Sequence, residues 1–202
     1  TSDGEQHKMS YTPSQLERLI LKFLELDTNR DEVVDRRELK YAWLNDGITE
    51  DEVSHWLDKY DLNGDGNITL DEFCHALGLK CEEMRIERYE RQREREGFAK
   101  VLNPDVSIIA STMSLDKQVD ITNKFVELLK ETSGRPEDLN EVAKNLKDYL
   151  DKQYGRVWQT VLVAGSYWMK FSHEPFMSLQ FKCGPHICLV WRTPCIERDS
   201  FN

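Results

Sequence analysis

Asp61-Leu62-Asn63-Gly64-Asp65-Gly66-Asn67-Ile68-Thr69-Leu70-Asp71-Glu72 is the stretch from which the fold of this chain is read. Hard side-chain oxygens stand at its first, third and fifth positions (Asp61, Asn63, Asp65), and Glu72 closes it at the twelfth. Gly66 occupies the sixth, where the chain must turn sharply and a Cβ is costly. Asn67 offers a backbone carbonyl, Thr69 can hold a water, and Glu72 can give both carboxylate oxygens. Ile68, at the eighth, is apolar, which suits a short strand between two paired loops. Together these positions describe a twelve-residue loop that wraps a calcium ion. An acidic surface loop would have no reason to put Gly66, Ile68 and Glu72 in register with the other positions.

A second loop of the same length, Asp27 to Glu38, begins 34 residues earlier, a normal separation for a pair of EF-hands. Its ligand positions are Asp27, Asn29, Asp31, Val33 (through its carbonyl), Asp35 and Glu38, and Val34 matches Ile68. Glu32 stands where glycine belongs. A left-handed backbone costs a non-glycine residue about 1–2 kcal/mol, or about 5- to 30-fold in affinity. This loop is therefore expected to be either a weak calcium site or a structural partner. The Asp61–Glu72 loop is expected in the range of calcium sensors, about 10⁻⁷–10⁻⁵ M.

Helices should flank both loops. Thr12-Pro13-Ser14-Gln15 is a capping box with proline in the first turn. Leu16, Leu19, Ile20, Phe23 and Leu24 follow at helical spacing. Leu39 to Leu44 should leave the first loop, and Asp46-Gly47 should turn the chain. Thr49-Glu50-Asp51-Glu52 opens the next helix, with Val53, Trp56, Leu57 and Tyr60 inward. Phe73, Cys74 and Leu77 continue beyond the second loop. Trp43, Trp56 and Phe73 are read as core.

The charge supports a cation site in this half. Of a net charge of −10, residues 1–80 carry 18 Asp/Glu against 9 Lys/Arg, and the remainder 19 against 18. No basic patch points to nucleic acid, and no apolar run reaches the ~18 residues of a membrane span. The first thirty residues hold no signal-peptide core. Five cysteines without a framework spacing read as reduced thiols in an intracellular protein. Cys183, His186 and Cys188 match no common zinc spacing, and packing is the preferred reading.

Residues 81–96 are rich in Glu and Arg, with Met84, Ile86 and Tyr89 as the only apolar side chains. This reads as a solvated, semi-rigid helical spacer. The expected organisation is an all-α calcium-loop pair over 12–80, a charged helical linker over 81–103, and a third segment over 104–195. That last segment reads strand, helix, helix, then four strands: Val106–Ala110, helices after Ser114 and Pro136, and strands at Val157–Val163, Tyr167–His173, Met177–Cys183 and Ile187–Thr193. It is an α+β domain.

The order of elements in residues 104–193 resembles the eight-kilodalton dynein light chain. The carriers are Ile108-Ile109-Ala110 with Met113-Ser114, Tyr154 with Trp158, Ser172-His173-Glu174, and Cys188-Leu189-Val190-Trp191. The whole chain is similar to the tegumental allergen-like proteins of parasitic flatworms. That resemblance rests on Tyr154-Gly155-Arg156-Val157-Trp158-Gln159, Gly165-Ser166-Tyr167-Trp168-Met169, Phe171 to Phe176, and Val190 to Pro194. It implies a cytoplasmic protein of the worm's tegument that binds Ca2+ in its first half, often through one competent EF-hand. It also implies a dimerising, peptide-binding module in the second half.

Light chains of this type dimerise by exchanging a strand and bind extended peptides as an added strand. The corresponding segment here is Tyr167, Trp168, Met169, Lys170, Phe171, Ser172 and His173. The light chain has a histidine directly after the counterpart of Trp158, whereas this chain has Gln159, with one residue inserted before Glu174. No nucleotide loop or nucleophile elbow appears. Were Ser172, His173 and Glu174 on a strand, alternation would put His173 on the opposite face from the other two. No enzyme is expected. The leading reading is a calcium-responsive adaptor that forms a homodimer and holds a protein or peptide by strand addition. The alternatives are a calcium buffer, favoured somewhat by the scarcity of methionine in the first half, and a calcium-independent scaffold.

Overall fold

The computed structural model of the chain describes residues 12–45, 49–98, 100–132 and 138–194. Residues 1–11, the Asp46-Gly47 turn, the Trp43 side chain, Gly134, Pro136 and Cys195 lie outside the described residues. The chain divides into two units between Tyr89 and Glu90.

In the first unit, Thr12 caps α1 (Pro13–Leu26): its side chain accepts from Gln15 N–H while Gln15 closes the box. Asp27 ends the helix, and the first loop leads through β1 (Val33–Val34) into α2 (Arg36–Asn45). Thr49 and Glu52 form the capping box that opens α3 (Glu50–Tyr60). The second loop passes through β2 (Ile68–Thr69) into α4 (Leu70–Leu77), whose end is set by Gly78 in the left-handed conformation. The two loops are joined where β1 and β2 pair antiparallel, Val34 opposite Ile68. Both of these side chains are fully buried.

One aromatic cluster holds the helices around that pairing. Phe73 stacks on Phe23 at 4.6 Å between centroids, and meets Tyr60 at 5.0 Å and Trp56 at 5.8 Å. Such pairs add about 0.5–1.5 kcal/mol each beyond the area they bury. Ile20, Leu26, Leu39, Ala42, Leu70 and Cys74 are buried with it. The apolar stripes read from the sequence are thus the stripes that pack, with Tyr60 and Phe73 deeper than Trp56.

α5 (Cys81–Arg95) forms where the charged segment was expected to be helical, but its first half is not a solvated spacer. Met84 and Glu87 are buried. Arg85 and Arg88 are drawn onto the first loop. A pattern with few apolar residues misses this because the contact is made by ion pairs.

In the second unit, β3 (Val106–Ser111) is followed by α6 (Leu115–Lys130), capped by Ser114, and α7 (Asp138–Tyr154). Then come β4 (Trp158–Val163), β5 (Ser178–Cys183) and β6 (His186–Arg192). The sheet order is β3-β5-β6-β4, antiparallel throughout, with β3 at an edge and a bulge between Ile108 and Ala110. Trp158, Leu146, Leu150, Ile121, Phe125 and Phe181 lie at the centre of the core, Phe125 edge-on to Phe181 at 5.1 Å.

Of the five strands expected in this unit, one does not form: Tyr167–His173 is irregular, with no ladder partner among the described residues. An extended apolar–polar alternation needs a neighbouring strand to become a ladder, and β3, the edge nearest to this segment across a groove, is not bonded to it. Cys183 lies opposite His186 across the Gly184-Pro185 turn, and Cys188 is buried opposite Phe181. These side chains pack the hairpin, and among the described residues no group of three His, Cys, Asp or Glu is disposed to hold a metal.

Candidate calcium site and partner groove

The Asp61–Glu72 loop is wound by its own side chains. Asp61 Oδ1 accepts from Gly64 N–H at 2.8 Å and Asp65 N–H at 3.2 Å, and its Oδ2 from Gly66 N–H at 2.8 Å. Asn63 Oδ1 accepts from Asp65 N–H, and Asp65 Oδ1 from Asn67 N–H, both at 2.8 Å. Glu72 folds back so that Oε1 accepts from Asn63 N–H at 3.2 Å and Oε2 from Thr69 N–H at 2.9 Å. Thr69 is the N-cap of α4, its hydroxyl accepting from Glu72 N–H at 3.2 Å.

The sequence's ligand set is therefore gathered in one turn, all of it oxygen, with residues 62–65 exposed to solvent. That chemistry fits a hard cation of calcium's size and flexibility. Its three carboxylates (Asp61, Asp65, Glu72) are engaged by loop N–H groups rather than grouped about one point. Gly66 has φ +84°, and a Cβ there would fall 2.2 Å from the Arg36 guanidinium, which donates to Asp65 O at 3.2 Å.

The first loop repeats the pattern position by position. Glu32 N–H donates to Asp27 Oδ2 at 3.1 Å, Asp31 N–H to Asn29 Oδ1 at 2.9 Å, and Val33 N–H to Asp31 Oδ1 at 3.0 Å. Glu38 Oε1 accepts from Asn29 N–H at 3.1 Å and Thr28 N–H at 2.7 Å, and its Oε2 from Asp35 N–H at 3.1 Å. Asp35 serves as a cap, accepting from Glu38 N–H at 2.9 Å. Glu32 adopts the turn that glycine would, at φ +67°, so the expected backbone strain is present and the loop survives it.

What differs is the charge. Arg88 Nη2 lies 2.6 Å from Asp27 Oδ2, and the Asp27 side chain is fully buried. Arg85 spans both Glu32 oxygens, Nε at 2.9 and 3.1 Å and Nη2 at 2.9 Å. Burial pushes the Asp27 carboxyl up, against the pull of Arg88, while hydrogen bonds from Arg85 hold Glu32 below its ordinary range. Sequence reasoning read both arginines as solvent-facing. The available signal was an acid at a glycine position combined with two arginines three apart on one helix.

In the second unit a groove of about 640 Å³ lies between Ala110–Thr112 of the β3 end and the segment Met169–His173, floored by Ser178 and Gln180 of β5. Trp168 is 92% exposed and Met169 39%. Tyr167 is tied down by its hydroxyl, which donates to Gln180 Oε1 at 2.7 Å, and Phe171 packs on Trp191 at 4.7 Å. Gln159 sits in β4 opposite Trp191. Because residues 172–174 are not on a strand, the alternation expected to separate them does not apply. Instead Glu174 is taken by an ion pair with the buried Arg192, and His173 Nδ1 lies 2.8 Å from Glu174 O.

Paired helix–loop–helix calcium loops, followed by an α+β domain with a four-stranded antiparallel sheet, define a two-part EF-hand protein with a light-chain-like module. Residues 16–78 match the family model of the EF-hand domain pair, and residues 105–193 that of dynein light chain type 1. The chain is 44% identical over 181 residues to the tegument antigen of Schistosoma mansoni, covering 90% of this chain and 95% of the relative. It is 42% identical to Antigen Sm21.7 of the same organism, covering 90% and 98%. Among solved structures it is similar to the dynein light chain-like domain of the Fasciola hepatica calcium binding protein FhCaBP2, at 52% identity and a TM-score of 0.46, covering 48% of this chain and all of that one. The chain belongs to the tegument antigen family. No helix among the described residues is long and apolar enough to cross a membrane.

Proposed function

We propose that the chain is a calcium-responsive adaptor: Ca2+ binds at Asp61, Asn63, Asp65, Asn67, Thr69 and Glu72, and the C-terminal domain holds a second copy or an extended protein segment. The observation that carries the reading is the Asp61–Glu72 loop itself, wound into its turn by hydrogen bonds from the ligand-position side chains, with Gly66 in the left-handed conformation. Asp61, Asn63, Asp65, Asn67, Thr69 and Glu72 would hold the ion, which would supply a positive charge to the loop carboxylates. The division of labour assigns residues 12–80 to calcium, 81–103 to the link and 104–195 to the partner.

For the second half, support comes from the Tyr167–His173 segment. It pairs with no strand among the described residues, carries the exposed Trp168, and walls a groove beside the sheet edge. Strand exchange or strand addition would satisfy such a segment. Non-enzymatic, cytoplasmic action belongs to the same reading, and association with the tegument is taken from the name of one relative.

A calorimetric calcium titration of the full chain, beside Glu72→Gln and Glu38→Gln, tests the calcium half. One site lost only in Glu72→Gln is expected. Absence of heat at several temperatures would overturn it. Sedimentation with and without calcium, and with Trp168→Asp, tests the partner half: a dimer that the substitution weakens is expected, and a monomer at all concentrations that captures no extended peptide would refute it. Unchanged dye binding and partner capture in chelator would leave a buffer or a scaffold as the better reading.

A further inference from the structure

The first loop keeps the hydrogen bonds that Asp27, Asn29, Asp31 and Glu38 share with their counterparts in the second, yet its buried first ligand position already faces a cation. We propose that its resident cation is internal: the Arg88 guanidinium takes the ion's place at Asp27, Arg85 clamps Glu32, and the first half of α5 is thereby the ligand of the first calcium loop. This deepens the calcium reading above and rests on it only for the comparison with the second loop.

Three observations converge. Asp27 is the first ligand position, its side chain is fully buried, and the group that reaches it is Arg88 Nη2 at 2.6 Å. Glu32 replaces the glycine of the turn and turns its carboxylate outward into a two-oxygen contact with Arg85. The second loop has neither feature: Gly66 carries no side chain, and the guanidinium beside it, Arg36, bonds a carbonyl rather than a ligand carboxylate. The residue that spoils the first loop for calcium is therefore the residue that recruits the helix.

Arginine is suited to the role, since its planar fork matches a carboxylate and stays charged. A buried Asp27 without a cation would bear the full cost of an unpaired buried charge. Calcium and α5 compete for one site, so the loop's apparent affinity is its intrinsic affinity multiplied by the fraction of chains in which the helix is away. By reciprocity, an ion that does enter must loosen the helix.

The test uses the full chain with calcium chloride in the calorimeter, comparing wild type with Arg85→Gln/Arg88→Gln. One site is expected in wild type. In the double variant a second site should appear, or an existing weak one should tighten about tenfold or more, and Glu38→Gln should remove it. Binding unchanged by the double variant would overturn the proposal, because the block would then lie in Glu32's backbone. A second readout needs no calcium. In chelator, Asp27→Asn and Arg88→Gln should each lower Tm, and together lower it by clearly less than the sum, whereas additive losses would refute the pair. If wild type gives no heat while this cycle is non-additive, the calcium reading of the second loop has failed and the internal cation stands.

Discussion

Gly66→Ala puts a number on the turn of the second loop. At φ +84°, any other residue takes on the left-handed cost of about 1–2 kcal/mol. The added Cβ would also lie 2.2 Å from Arg36 Nε and Nη2, so the guanidinium must swing away and give up its bond to Asp65 O. That bond is exposed and contributes about 0.5–1.5 kcal/mol. The free loop, open to solvent from Leu62 to Asp65, can relax; an ion-filled loop cannot, so both costs fall on the bound state. They total about 1.5–3.5 kcal/mol, or about 10- to 300-fold in calcium affinity. Calorimetry on Gly66→Ala, Arg36→Ala and the double variant separates the two parts. Arg36→Ala alone should lower affinity by the share of the bond, about 2- to 12-fold, and the double variant should match Gly66→Ala, since both have lost that bond. An affinity for Gly66→Ala within twofold of wild type would refute the reasoning, as would full recovery in the double variant.

Glu174→Ala leaves the Arg192 guanidinium, 2% exposed, without its carboxylate, and should destabilise the second unit by about 3–5 kcal/mol, read from urea unfolding by tryptophan fluorescence. Trp158→Ala removes the largest fully buried side chain and should cost about 3–5 kcal/mol in the same assay, with calcium binding unchanged. Burial acts to raise the Asp151 carboxyl, but hydrogen bonds from Lys147 Nζ and Trp158 N–H outweigh it and hold the group below its ordinary 3.8. A lowered folded value means that its stabilisation is complete above about pH 4 and lost as pH falls through that value. The stability gap between wild type and Asp151→Asn should therefore close in acid and stay constant near neutrality. Cys74 and Cys188 are buried, and burial pushes both thiols up, so peptide mapping after iodoacetamide should find them unmodified until denaturant is added.

What could be read in the chain is what local chemistry decides. Capping boxes at Thr12 and Thr49, the glycine turn at Gly66 and the Val34–Ile68 pairing each involve residues whose type and spacing fix one backbone conformation. The helical stripes were legible because burial follows a 3.6-residue period. Arg85 and Arg88 were not, because their partners lie about fifty to sixty residues away and an arginine on a charged helix carries no mark of its target. The light-chain-like unit was legible in element order, and only Tyr167–His173 departed from expectation. Its alternation is that of a strand, but a strand needs a neighbour, and the described residues supply none.

Both surprises have one physical origin. In each, a segment has the composition of one state while its partner decides whether that state forms. Tyr167–His173 is held near the sheet by side chains, Tyr167 to Gln180 and Phe171 on Trp191, and at its end by the Glu174 ion pair with Arg192. Glu174 N–H donates to Arg192 O at 2.9 Å and Arg192 N–H to Met177 O at 3.0 Å, so the anchor is fixed while residues 168–170 remain exposed. A segment fixed at its ends has already lost part of the conformational freedom that ordering would remove, so a strand laid beside it need order only the middle. The first calcium loop is the converse case. Its shape is in place and its first ligand, Asp27, is already paired with Arg88 from within the unit, so an arriving ion must displace that guanidinium.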